Sequence, residues 1–158
     1  MNMEVEVAVQ YAVPRRGVPA PVSFRRWAGA VPAGRRRGAA LVVRIVGEAE
    51  IASLNRRFRA RRGTTNVLSF PFAAPIPQLR ELIGDVVICA PVVRREAHEQ
   101  GKPARAHWAH MTVHGVLHLL GYDHTGEEQA RVMEGLETKI LDALGYPDPY
   151  GGHDVHER

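Results

Sequence analysis

Three histidines, His114, His118 and His124, stand four and then six residues apart in the run His-Gly-Val-Leu-His-Leu-Leu-Gly-Tyr-Asp-His. On a helix, His114 and His118 lie one turn apart on the same face, where two imidazoles can grip one metal ion. Gly121 follows three residues after His118, where a helix needs a left-handed residue to stop and turn. That turn can bring His124 back as a third ligand. Three imidazoles on zinc leave a coordination position open to water, which is the catalytic rather than the structural pattern. A lone histidine in an apolar segment is usually a packing residue, but a third one just past a helix-stopping glycine is hard to obtain by chance. His107 and His110 precede the set, and His110 with His114 repeats the four-residue spacing. That pair lacks a turn to supply a third ligand and ranks below the set 114, 118 and 124.

The spacing His-x3-His-x5-His is that of the long zinc-peptidase motif, in which a glutamate after the first histidine is the general base. Here that place is Gly115. Without the carboxylate, peptide hydrolysis is disfavoured, while a zinc ion could still act as a Lewis acid on a phosphoryl or carbonyl oxygen. The proton would go to solvent, to the substrate's own phosphate or to another side chain. Asp123, next to His124, suits capping or ligand support better than base catalysis.

Phosphoryl chemistry also needs cations near the developing charge. Five arginines fall between Arg56 and Arg62, and Arg59 is the candidate because it closes its expected helix just before a strand. Arg56 and Arg57 belong to the helix body and read as solvated charges. Nineteen of the 21 basic residues are arginine, whose planar fork suits phosphate. A GC-rich coding bias accounts for part of that excess. It does not explain the placement: residues 1–121 carry 18 bases and 8 acids, residues 122–158 carry 3 bases and 9 acids. The overall charge of +4 therefore hides a basic half that favours a nucleic-acid partner.

The elements that must position these residues fit one domain. The chain has 158 residues, 45% of them hydrophobic and 24% charged, enough for a full core and ordinary for a globular protein. No run reaches the apolar length of a membrane span, and the first ten residues carry acids where a secretory signal has bases. The single cysteine, Cys89, excludes an internal disulfide, reads as a buried thiol and fits a reducing cytoplasm.

Alternation predicts a half-buried strand at 3–9, and apolar runs predict buried strands at 39–46 and 84–89; a strand at 66–70 is stopped by Pro71, which marks it as an edge. Helices are expected at 23–30, at 48–59 with Ile51, Leu54 and Phe58 on the buried side, and at 91–100 before Gly101. The metal helix spans 104–121, apolar on several sides and hence central. A last helix begins at Thr125 as hydroxyl cap and ends near Gly145. Segments 14–21, 31–38 and 73–79 read as loops, and 146–158 as a tail whose His153 and His156 are not ligands. The expected fold is α+β: a small mixed four-stranded sheet packed with about five helices, the central one carrying the histidines. The domain is expected to fill residues 1–150, leaving 151–158 as the extreme tail.

The chain resembles the YbeY endoribonucleases. The likeness is carried by the run from His114 to His124, by Ala106-His-Trp-Ala-His-Met111, and by Leu54-Asn55, Phe58-Arg59, Thr65-Asn-Val-Leu-Ser-Phe-Pro71, Gly84-Asp85 and Ala143-Leu-Gly-Tyr-Pro-Asp-Pro-Tyr150. It covers roughly residues 40–150. The resemblance implies a zinc-dependent, single-strand-specific endoribonuclease of the cytoplasm, acting in 3′-end maturation of small-subunit ribosomal RNA and in ribosome quality control. It implies one zinc ion on His114, His118 and His124, with Arg59 as the arginine of the cleft that matters for cleavage. Small-subunit ribosomal proteins and the GTPase Era are the partners it implies, with neither DNA nor membrane among them. Two departures stand out: Arg61-Arg62 replace the family's common Lys-Asp, and residues 10–38 match poorly. A non-catalytic ribosome-assembly factor with a structural zinc is the alternative, distinguished by a fourth protein ligand where the enzyme keeps an open position. A zinc hydrolase of peptides or small molecules is a third reading, weakened by Gly115.

Overall fold

A computed structural model describes residues 6–32, 40–71, 82–123 and 125–150. Four strands, β1 (Glu6–Tyr11), β2 (Ala40–Val46), β3 (Val67–Pro71) and β4 (Leu82–Cys89), form one sheet in the order β1-β2-β4-β3. β1, β2 and β4 run parallel, and β3 lies antiparallel on the outer side of β4. The proline at the end of β3 thus sits on an edge, as its missing N–H requires. Five helices complete the described residues: α1 (Pro21–Gly29), α2 (Glu48–Arg59), α3 (Ala90–Gln100), α4 (Ala104–Leu119) and α5 (Glu127–Ala143). The mixed four-stranded sheet with five helices is the α+β domain that the patterning implied.

Period-two alternation divides the sheet into two faces. Leu41, Val43 and Ile45 of β2, with Val86 and Ile88 of β4, join a large core with α1, α4 and α5. Val46, Leu68, Val87 and Cys89 look the other way, onto Ile51 of α2 and Val92 of α3. Cys89 is fully buried there, as its apolar setting suggested. Between the sheet and the outer helices runs α4, whose Trp108 is 1% exposed and meets Phe24 edge-on at 5.8 Å. Phe24 meets Trp27 in the same manner at 5.5 Å, so three aromatic side chains lock α1 to α4. Each such ring contributes roughly 1.5–3 kcal/mol by leaving water, which makes this cluster the anchor of the histidine helix.

Several boundaries moved. α1 starts at Pro21, inside the expected loop, because a proline ring already has the backbone angle of a first helical turn. Phe58 is 59% exposed rather than buried: its ring meets Phe70 edge-on at 5.5 Å and the Arg57 guanidinium at 5.3 Å, at the outer end of α2. Thr125 does not cap α5. Gly126 occupies the cap position without a side-chain bond, and the Thr125 hydroxyl donates to Gln129 Oε1 at 2.9 Å. The supposed tail from residue 146 is anchored by two tyrosines: the Tyr146 ring meets Trp27 at 6.4 Å, and the Tyr150 hydroxyl donates to buried Glu137. Residues 33–38 of one expected loop, the loop at 73–79, His124, and the extreme tail with His153 and His156 lie outside the described residues.

Candidate metal centre and cleft

His114 and His118 project from one face of α4, with ring centroids 4.8 Å apart, as four-residue spacing on a helix demands. Both are partly exposed and line a cleft of about 530 Å³ beneath the edge strand β3. The helix ends at Leu119 with Leu120 as its C-cap, and Gly121 takes φ +103°, the left-handed turn expected of it. Tyr122 and Asp123 beyond it also line the cleft. Between the two histidines, Gly115 lies against the sheet: a Cβ there would come within 2.5 Å of Val86 Cγ1 and 3.3 Å of Val67 Cγ2. The place that a peptidase fills with glutamate therefore faces the sheet, and no side chain fits it.

Arg59 closes α2 and lines the same cleft. One guanidinium N–H donates to the carbonyl of Ser69 on β3, and the group lies 5.5 Å from the Phe70 ring centroid. The Ser69 hydroxyl in turn donates to the Gly115 carbonyl at 2.8 Å, so the strand carrying Arg59's anchor is itself fastened to the histidine helix. Behind Arg59 the chain turns through Ala60, in the left-handed region at φ 55°. Buried Asn55 holds that turn, donating to Gly63 O at 3.1 Å while its own carbonyl accepts from Arg61 N at 3.2 Å. Arg61 lines the cleft as well, so two arginines and two histidines border one space.

On the interior side of His114 lies a polar cluster that no motif announced. Glu137 of α5 is fully buried. His114 Nδ1 donates to its Oε2, His110 Nε2 donates to its Oε1 at 3.0 Å, and the Tyr150 hydroxyl donates to Oε1 as well. Burial pushes the carboxyl pKa up, but the bonds from the two histidines outweigh it and bring the value down to about 2. Burial, and then the neighbouring carboxylate, raise the Tyr150 phenol above its ordinary range, so it stays a donor. The ligand atoms of His110, His114 and Glu137 lie within 4.8 Å of one another and could themselves hold a metal ion.

The sequence model of the endoribonuclease YbeY family matches residues 28–145. The chain belongs to this family. A protein named Endoribonuclease YbeY from Stenotrophomonas maltophilia (strain K279a) is 54% identical over 154 residues, spanning 95% of this chain and 96% of that one. Another of the same name from Nitrosococcus oceani is 51% identical over 150 residues, spanning 94% and 98%. The solution structure of TM1509 from Thermotoga maritima shares the fold, with a TM-score of 0.50 at 19% identity over 92% of this chain and 98% of that one.

Within this YbeY-family chain, three of the four residues singled out from the sequence meet in one cleft: His114, His118 and Arg59. The fourth, His124, lies outside the described residues. The donor chemistry suits a divalent metal ion: two imidazoles stand one helical turn apart, and one of them is held from behind by a buried carboxylate. Glu137 was missed because it is a single acid among several on α5, 23 residues from His114. Its one sequence signal was its register: Met133, Glu137, Ile140 and Leu141 share the buried stripe of the helix, and a charge in such a stripe needs partners. Among the described residues, no helix is long and apolar enough to cross a membrane.

Proposed function

We propose that this protein is a zinc-dependent endoribonuclease specific for single-stranded RNA, acting in 3′-end maturation of small-subunit ribosomal RNA and in ribosome quality control. The reading rests on membership of the endoribonuclease YbeY family, and the observation that carries it is the shared cleft of His114, His118 and Arg59. His114, His118 and His124 would hold one zinc ion. When bound, zinc supplies Lewis-acid polarisation of a phosphoryl oxygen and acidifies water. Arg59, anchored on the Ser69 carbonyl, keeps a fixed positive charge over the cleft for a phosphate that gains negative charge as it is cleaved. Arg61 adds a second cation along the same wall and favours a polyanion over a neutral peptide. Gly115 leaves no carboxylate between the histidines, so the proton from the nucleophile passes to solvent, to the substrate's phosphate or to another cleft residue. The proposed setting is the cytoplasm, with small-subunit ribosomal proteins and the GTPase Era as partners.

The test is cleavage of single-stranded RNA by purified protein, together with 3′-end mapping of small-subunit RNA in cells. His114→Ala is expected to lose both zinc and cleavage. Arg59→Glu is expected to keep zinc and lose processing. Full cleavage by a metal-free preparation would reject the metal, and unchanged cleavage by Arg59→Glu would reject the arginine.

A further inference from the structure

A carboxylate wholly removed from water is tolerated only when donors surround it. Glu137 has three, two of them on α4 and one on the segment after α5. An ionised carboxylate only accepts hydrogen bonds, so the His114 ring nitrogen that faces it, Nδ1, must carry the proton. The neutral ring then has its lone pair on Nε2, the nitrogen a metal would take. His110 is arranged in the same sense. Its Nε2 faces Glu137 and Tyr150, while its Nδ1 is buried with no hydrogen-bond partner, which is cheap for a bare lone pair and costly for an N–H.

We propose that Glu137 is a positioning residue for His114: braced by His110 and Tyr150, its carboxylate fixes the Nδ1–H form of the ring and so presents Nε2 to the metal. The inference rests on His114 being a zinc ligand, as proposed above. The alternative, that His110, His114 and Glu137 are themselves the metal site, is disfavoured by where they lie. His114 and His118 line the cleft, whereas His110 and Glu137 do not, and the atoms that would ligate are already bonded to one another. The brace reaches beyond the helices. Asp148 accepts from the Tyr150 backbone N–H at 2.8 Å and from the Thr138 hydroxyl at 3.2 Å, so a Pro-Asp-Pro-Tyr turn folded onto α5 delivers the phenol. The end of the described chain thereby becomes part of the support of the site.

Two measurements on the full chain test this. Long-range 1H–15N spectra of the histidine rings report tautomer and ligand atom directly. In zinc-free wild type His114 is expected as the Nδ1–H form, and on adding zinc its Nε2 signal should take the metal shift. A His114 protonated at Nε2, or zinc on Nδ1, overturns the proposal, and the latter would favour the buried triad as the metal site. Zinc affinity by chelator competition is the second readout. Glu137→Leu removes the acceptor and is expected to weaken binding by roughly 10–100-fold, and Glu137→Gln, which keeps one carbonyl oxygen, should recover part of that loss. A folded Glu137→Leu protein that binds zinc like wild type overturns the positioning role while leaving the metal reading intact. Wild type that takes up no zinc ends both. Where Glu137→Leu does not fold, the wild-type spectra decide alone.

Discussion

Gly115 sits so close to Val86 that the two residues share one packing position: a Cβ on the first would lie 2.5 Å from Cγ1 of the second. The helix that carries the histidines can approach the sheet only because this residue has no side chain. Gly115→Ala should therefore lose stability, by roughly 1–3 kcal/mol of overpacking, despite the better helix propensity of alanine. Denaturant unfolding should show a lower midpoint with an unchanged slope. Gly115→Glu should not create a peptidase, because its carboxylate would be driven into the sheet. A variant as stable as wild type would contradict the close approach.

The bond from the Ser69 hydroxyl to the Gly115 carbonyl is buried and joins the arginine's anchor strand to the histidine helix. Ser69→Ala is expected to cost about 1 kcal/mol, and up to about 3 if the carbonyl stays unsatisfied. RNA cleavage should fall with it while zinc content holds, since β3 is then less firmly placed under Arg59. Equal cleavage at equal protein would show that the strand needs no such fastening.

Arg59→Lys keeps the charge but loses the planar fork that holds the Ser69 carbonyl while lying near the Phe70 ring. Cleavage is expected to drop roughly tenfold or more, on the order of 1.4 kcal/mol in the barrier, with zinc affinity unchanged. Full activity in the lysine variant would mean that a point charge suffices.

His107, 2% exposed, has its pKa lowered from the usual 6.5 by burial, partly offset by its bond to Glu96, while Lys102 and His110 lower it further. The folded protein thus prefers the neutral ring. Stability is fully present above pH 6.5 and is lost as pH falls from there through the lowered folded value, because the unfolded chain takes up the proton first. His107→Gln keeps a donor for Glu96, which bonds the ring at 2.8 Å, and removes the titration. Its melting temperature should fall less than that of wild type between about pH 7 and about pH 5.5. Parallel pH curves for the two proteins would rule out the assignment.

What could be read without coordinates was local. Apolar strand runs, the glycine stops at 101 and 121, and Pro71 at an edge all act within a few residues, and each appears where expected. The histidine spacing was legible for the same reason, since one helical turn fixes the distance between His114 and His118. Thr125 misled because a hydroxyl before two acids is a cap signal only if the backbone turns at that residue, and here it turns at Gly126.

The amino-acid order by itself determined the candidate ligands, the basic half of the chain and the elements that carry them, because helix and strand periodicity are properties of neighbouring residues. Tertiary structure alone decided that Gly115 faces Val86, that Ser69 joins the arginine's strand to the histidine helix, and that Glu137 and Tyr150 come up behind His114. Those contacts join residues 13 to 46 positions apart. They arise from how two faces of a sheet and five helices exclude water together, and no short window of sequence contains that information.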